Sequence, residues 1–189
     1  MTRVANRLFS TMAAVVMFAQ VSVCQSAKPM KTLENEQLIV GVQSTDGEKA
    51  HKAVSEVFAR GDSMIPALLA LKGNKRPFAG ASWLVRPTAG QLIFPSGKND
   101  EAGRGVSVEV AALYLITAIY QNNLQFAQSP YLTDLAVAPD KRRAMNSEAL
   151  IERAWQSTEE WAALLKAEGI EQLRREKRAP LDGSRVAFW

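Results

Sequence analysis

Residues Val57–Gly73 read VFARGDSMIPALLALKG, and how this stretch is parsed decides the fold. On its N-terminal side, Ala50, Ala53, Val54, Val57 and Phe58 recur at the i, i+3, i+4, i+7, i+8 spacing of one helix face. That spacing predicts a helix over 47–60. Gly61 follows, the residue that best tolerates the left-handed conformation of a helix C-cap. Asp62 is then read as an N-cap, since its carboxylate can accept the orphan amide hydrogens of a first turn. Pro66 falls in or just after that turn, where a missing amide hydrogen costs little. Met64, Ile65, Leu68, Leu69 and Leu71 make an apolar second helix running to Gly73. Arg60-Gly61-Asp62-Ser63 also spells the tetrapeptide that integrins read in adhesion proteins. Such a ligand must be displayed on a protruding loop, whereas a tight turn between helices accounts for each of these residues.

C-terminal to Gly73 the helical pattern breaks. Residues 74–105 are dense in Gly and Pro, and "SWLV" and "QLIF" flank the turn-forming "RPTAG". We expect a small β-hairpin or irregular loop inserted around 82–94. "VSVEVAALYLITAIYQNN" follows. Ser107 is a good N-cap, Glu109 suits the positive end of the helix dipole, and Asn122-Asn123 ends the run. A helix apolar on nearly every face is a central, buried one. Residues 124–146 hold one short helix at most, around "YLTDLAV", with Lys141-Arg142-Arg143 as a solvated turn. Asn146 or Ser147 caps a long helix whose face is Leu150, Ile151, Ala154, Trp155, Thr158, Trp161, Ala162 and Leu165. Gly169 breaks it, Ile170 and Leu173 continue it before Pro180, and the closing "SRVAFW" is expected to dock on the body, because an exposed tail of that composition invites aggregation.

N-terminal to the first helix, residues 28–47 read as a linker or N-terminal extension, with "QLIVGV" at 37–42 as a short strand or a tail packed on the body. Before it, Arg3 and Arg7 precede the apolar run "LFSTMAAVVMFAQVSV", the pattern of a cleaved signal peptide over 1–27. The run is shorter than the roughly 20 residues a membrane span needs. This implies an exported protein, periplasmic by preference, with residues 48–189 as a single helical domain. Cys24 is the sole cysteine of the 189 residues. Cleavage after Ser26 removes it and with it any disulfide, thiolate metal site or cysteine nucleophile. Lipidation of Cys24 is the alternative, and the one route to a membrane. The formal charge of +4 includes Arg3 and Arg7, so the body is nearer neutral and lacks the field of a nucleic-acid binder.

Few chemistries remain. One histidine, His51, supports neither a serine triad nor a multi-histidine metal site. No phosphate loop or calcium loop appears. Glu34, Glu36, Asp46 and Glu109 are candidates for a carboxylate pair of the glycosidase kind, each with an easier account as a linker charge or a first-turn acid. The basic runs at 141–143 and 174–178 lack interleaved aromatics, so no nucleic-acid partner is expected.

The pair of helices at 48–72, with a Gly-Asp turn followed by "IPALL", resembles the repeat unit of HEAT-like helical proteins. "VSVEVAALYLITAI" and "AWQSTEEWAALLKAEGIEQLRREKRAPL" resemble segments of small bacterial HEAT-like proteins. The resemblance implies an all-α fold of stacked antiparallel helical hairpins and a role in binding another protein, and it carries over no catalytic, cofactor or metal residue. The expectation is therefore an exported protein-binding module, an immunity or inhibitor protein being one concrete form. A periplasmic hydrolase using paired carboxylates is the alternative. Loops beyond about 12–15 residues tend to be functional, and Trp and Arg are frequent interface hot spots. Trp83, Arg86 and Phe94 are accordingly the candidate partner-binding residues.

Overall fold

The computed structural model describes residues 30–84 and 105–189. In chain order the elements are α1 (Met30–Val42), α2 (Gly47–Arg60), α3 (Ile65–Leu69), α4 (Val108–Gln121), β1 (Leu132–Asp134), α5 (Glu148–Glu168), α6 (Ile170–Arg175) and β2 (Val186–Phe188). The fold is mostly helical, with a small two-stranded antiparallel sheet. The expected signal peptide lies outside the described residues.

Within the 28–47 extension, α1 stands where 37–42 reads as a short strand or a tail packed on the body; the packing is observed and the strand is not. Ile39, Val40 and Val42 favour strand by propensity, but packing overrides propensity. Leu38, Ile39 and Val42 fall on one side of the helix and pack into the core. The approach to α2 is close: a Cβ built at Gly41 would stand 2.8 Å from the Ala53 Cβ. Arg60, at the end of α2, reaches the start of α1, donating to Asn35 Oδ1 at 2.6 Å and to Glu34 Oε2 at 3.3 Å. These contacts make α1 and α2 antiparallel neighbours.

α2 begins and ends as its sequence dictates. The Asp46 carboxylate accepts from the Glu48 and Lys49 N–H groups, and Gly61 takes φ +64° beyond the last turn. The N-cap role expected for Asp62 is not observed. Gly61–Met64 is a single 3-10 turn, Met64 stands ahead of α3, and no side chain caps it. The reason is local. The Ile65 N–H goes to the Asp62 main-chain carbonyl, so the main chain meets an amide that a cap would otherwise meet. Pro66 does sit in the first turn of α3. α3 is short and gives way to a turn that ends at Gly73 with φ +75°.

α4 is the axis of the molecule. Every residue from Val108 to Tyr120 is buried, with α2 and α3 against one side and α5 against another. Its polar groups are answered internally: Ser107 Oγ accepts from Val110 N–H, Thr117 Oγ1 donates to the Leu113 carbonyl at 2.9 Å, and Tyr114 OH donates to the Leu124 carbonyl at 2.8 Å. Asn122 closes it in the left-handed conformation. Arg174 of α6 then covers the last carbonyls of α4, donating to Tyr120 O at 2.8 Å and Ile119 O at 2.6 Å. A guanidinium at a helix C-terminus also meets the negative end of its dipole.

α5 starts at Ser147, whose hydroxyl accepts from Leu150 N–H, and ends at Gly169 with φ +81°. Trp155 and Trp161 are core, as their helical spacing implies. The sheet, by contrast, is not where the sequence placed it. Of the hairpin expected at 82–94, residues 82–84 belong to a 3-10 turn (Ala81–Leu84), and the rest lies outside the described residues. The observed strands pair Leu132 with Phe188, Thr133 with Ala187 and Asp134 with Val186. Thus the segment "YLTDLAV", read as one short helix at most, holds the strand Leu132–Asp134 followed by a turn, and the strand is held by a partner distant in sequence.

Candidate protein-binding groove

β1 is fixed on both sides. Toward β2 it carries the ladder, extended by Trp189 N–H to Tyr131 O at 2.8 Å and Leu135 N–H to Arg185 O at 2.8 Å. On its other side the Leu132 N–H meets Asn146 Oδ1 at 3.0 Å, and the Leu132 carbonyl accepts from Met145 N–H at 2.7 Å. The docking expected of "SRVAFW" is thereby realised. The Trp189 carbonyl also accepts from Gln128 and Ser129 N–H, at 2.7 and 2.9 Å.

Among the described residues the outward groups of β2 are met at Val186 by Ser184 Oγ and not at Phe188, and a groove of about 960 Å³ runs along the strand. Val186, Ala187, Phe188 and Trp189 line it, together with Thr133 and Leu135 at and beside β1. Thr117 and Gln121 of α4 and the turn at 179–183 complete the walls. Phe188 is anchored by Tyr114 and Phe126, with ring centroids 5.1 and 5.7 Å away, so this edge rests on the core rather than on a loose tail. Leu135 and Trp189, each 42% exposed, put apolar surface at the rim.

The groove's charge is set by Arg142, Arg185 and Asp182. Arg142 also braces the chain, donating from Nε to Val137 O at 3.0 Å and from Nη2 to Leu135 O at 3.3 Å. The basic cluster is therefore not uniformly a solvated turn. Beside it, the Ala136 main-chain N–H and then the Arg153 guanidinium, 2.7 Å from Asp134 Oδ2, hold the Asp134 carboxyl below the usual carboxylate range.

The residues singled out from sequence fall elsewhere. Trp83 lies in the 3-10 turn Ala81–Leu84, while Arg86 and Phe94 lie outside the described residues. The four candidate carboxylates do not converge. Glu34 pairs with Arg60, Asp46 caps α2, and Glu36 sits on α1. Glu109 lies far along the chain at the head of α4, where it accepts from Gly73 N–H at 3.0 Å. Glu109 does share a second cleft, of about 550 Å³, with Glu148 and Glu152. There Glu148 pairs with Lys75 at 2.8 Å and Glu152 stands 3.9 Å from Lys72. His51 is a partly buried residue of α2. Among the described residues, no three His, Cys, Asp or Glu are grouped to hold a metal ion, and no helix is long and apolar enough to cross a membrane.

Sequence reasoning missed Leu135, Ala187 and Phe188 as site residues. The one available signal was the apolar "VAF", which marks a docked segment without marking what it docks beside. No family model, curated protein or solved structure matches the chain.

Proposed function

We propose that this chain is an exported protein-binding module whose recognition surface is the groove along β2. The observation that carries the reading is the open outer edge of β2 beside a groove with exposed Leu135 and Trp189 at its rim. Contiguous apolar surface framed by polar groups is the usual mark of a partner site. Export rests on the N-terminal sequence pattern, and stacking of helical hairpins in the HEAT manner rests on the resemblance of the 48–72 segment. An inhibitor or immunity protein fits this reading, since such a protein needs a rigid surface and no chemistry of its own. The carboxylate-hydrolase reading finds less support, because Glu34, Asp46, Glu109 and Glu148 each engage a neighbouring residue.

Site-specific photo-crosslinking tests the proposal. A benzophenone side chain is placed at Leu135, at Trp189 and, as a control, at Leu164, an exposed position on α5. We expect one and the same protein to be captured from periplasmic extract at 135 and 189 and not at 164. Equal capture at all three positions, or none at 135 and 189, defeats the proposal.

A further inference from the structure

We infer that the partner enters the groove as an extended segment that adds a strand to β2, presenting apolar side chains and an acidic residue opposite Arg185. The inference rests on reading the groove as the protein-binding face. Its basis is which main-chain groups remain unanswered. The outward groups of β1 at Leu132 are taken by Asn146 and Met145. On β2, alternation turns the groups of Val186 and Phe188 outward, since Arg185 and Trp189 bond to β1. The Val186 N–H is taken by Ser184 Oγ at 3.0 Å, and the same hydroxyl reaches the Val186 carbonyl at 3.4 Å, so Phe188 is the residue left. Among the described residues, no hydrogen bond reaches the N–H or the carbonyl of Phe188.

An adjacent donor and acceptor on a strand edge match another extended main chain, which presents the same pair about 4.8 Å away. The interior of a helix presents no such main-chain pair, because its N–H and C=O groups are spent internally. The groove supplies the room that an incoming strand needs. Ala187 is small and shares the lining with Leu135 and Trp189, leaving space for an apolar side chain. Arg185 is exposed and Arg142 lies in the same groove against the single acid Asp182, so the lining favours an acidic group on the segment.

The test uses a random linear peptide library displayed on phage and selected on the full chain. Selected peptides are resynthesised with an N-methyl group at each position in turn. We expect sequences with alternating apolar residues and at least one acid. N-methylation should weaken binding by about tenfold or more at the one position whose amide meets the Phe188 carbonyl and little at its neighbours. The Phe188 amide proton should move downfield and gain exchange protection on binding, and Arg185→Glu should weaken acidic peptides. Peptides that tolerate N-methylation at every position, an unmoved Phe188 amide, or selection of no linear peptide would overturn strand addition. Those results would leave the crosslinking test standing, since it registers a folded partner surface as readily as an extended one.

Discussion

The Glu109 carboxylate accepts a hydrogen bond from the Gly73 main-chain N–H at 3.0 Å, tying the head of α4 to the turn that follows α3. Both ends of this bond are structural. Gly73 has φ +75°, and Glu109 is 5% exposed. Removing the carboxylate leaves a main-chain donor unanswered. Glu109→Ala should cost about 1–3 kcal/mol, and Glu109→Gln, which keeps an acceptor, clearly less. Gly73→Ala should cost about 1–2 kcal/mol, because an L residue resists that φ. Denaturant melts of the three variants check this. A Glu109→Ala protein as stable as wild type would show that the bond contributes nothing.

Two aspartates that look alike in the sequence should behave differently. Asp46 accepts two first-turn amides of α2, and Asp62 accepts none for α3. Asp46→Ala should lower stability by about 1 kcal/mol. Asp62→Ala should leave it within about 0.5 kcal/mol, as for an ordinary surface change. Thermal melts of the two variants side by side decide the matter, and equal losses would refute it.

Trp155 and Trp161 are both buried on α5, yet only one indole N–H is answered. Trp161 Nε1 donates to the Arg178 carbonyl at 3.0 Å, while Trp155 Nε1 has no partner among the described residues. Replacing each by Phe removes the donor and some ring area. Trp161→Phe also strands a carbonyl, so it should cost more than Trp155→Phe by about 1 kcal/mol. Stability curves for both variants provide the comparison, and the reverse order would contradict the hydrogen-bond assignment.

Acid should loosen the β1 region first. Asp134 is depressed by the Ala136 N–H and by Arg153, so its folded pKa lies below its unfolded value. A depressed carboxyl stabilises the fold above the unfolded pKa, and that stabilisation is lost as pH falls through the folded one. The window is therefore below about pH 4, the ordinary aspartate value. Melting temperature followed from neutral pH downward should fall less steeply in this range for Asp134→Asn than for wild type. Parallel curves would remove Asp134 from the account.

What the sequence made legible was local. The helix ends at Gly61, Asn122 and Gly169 and the N-caps at Ser107 and Ser147 are properties of a few adjacent residues, and each is observed at its place, although Gly61 pairs φ +64° with ψ −139° instead of the left-handed helical conformation. Burial of α4 on every side follows from its composition alone. α1 was obscured because Ile39, Val40 and Val42 carry strand propensity, and only the close pass of Gly41 over Ala53 reveals the helix. Asp62 misled because a good capping residue can be made idle by a 3-10 turn that uses main-chain acceptors. The groove was the least legible. Its edge exists only because Leu132–Asp134 meets Val186–Phe188, and no pattern within either tripeptide names the other.

That pairing also orders events in time. The helices need only neighbours in sequence, and helix formation takes about a microsecond or less. β1 and β2 must close a loop of about fifty residues before their first hydrogen bond forms, a closure whose entropic cost precedes any return. The strand edge at Phe188 is thus expected to be among the last features completed as the chain folds. A partly folded molecule, helical and compact though it be, would have no groove to offer. Were a partner to read β2, it could engage only a chain that has finished folding.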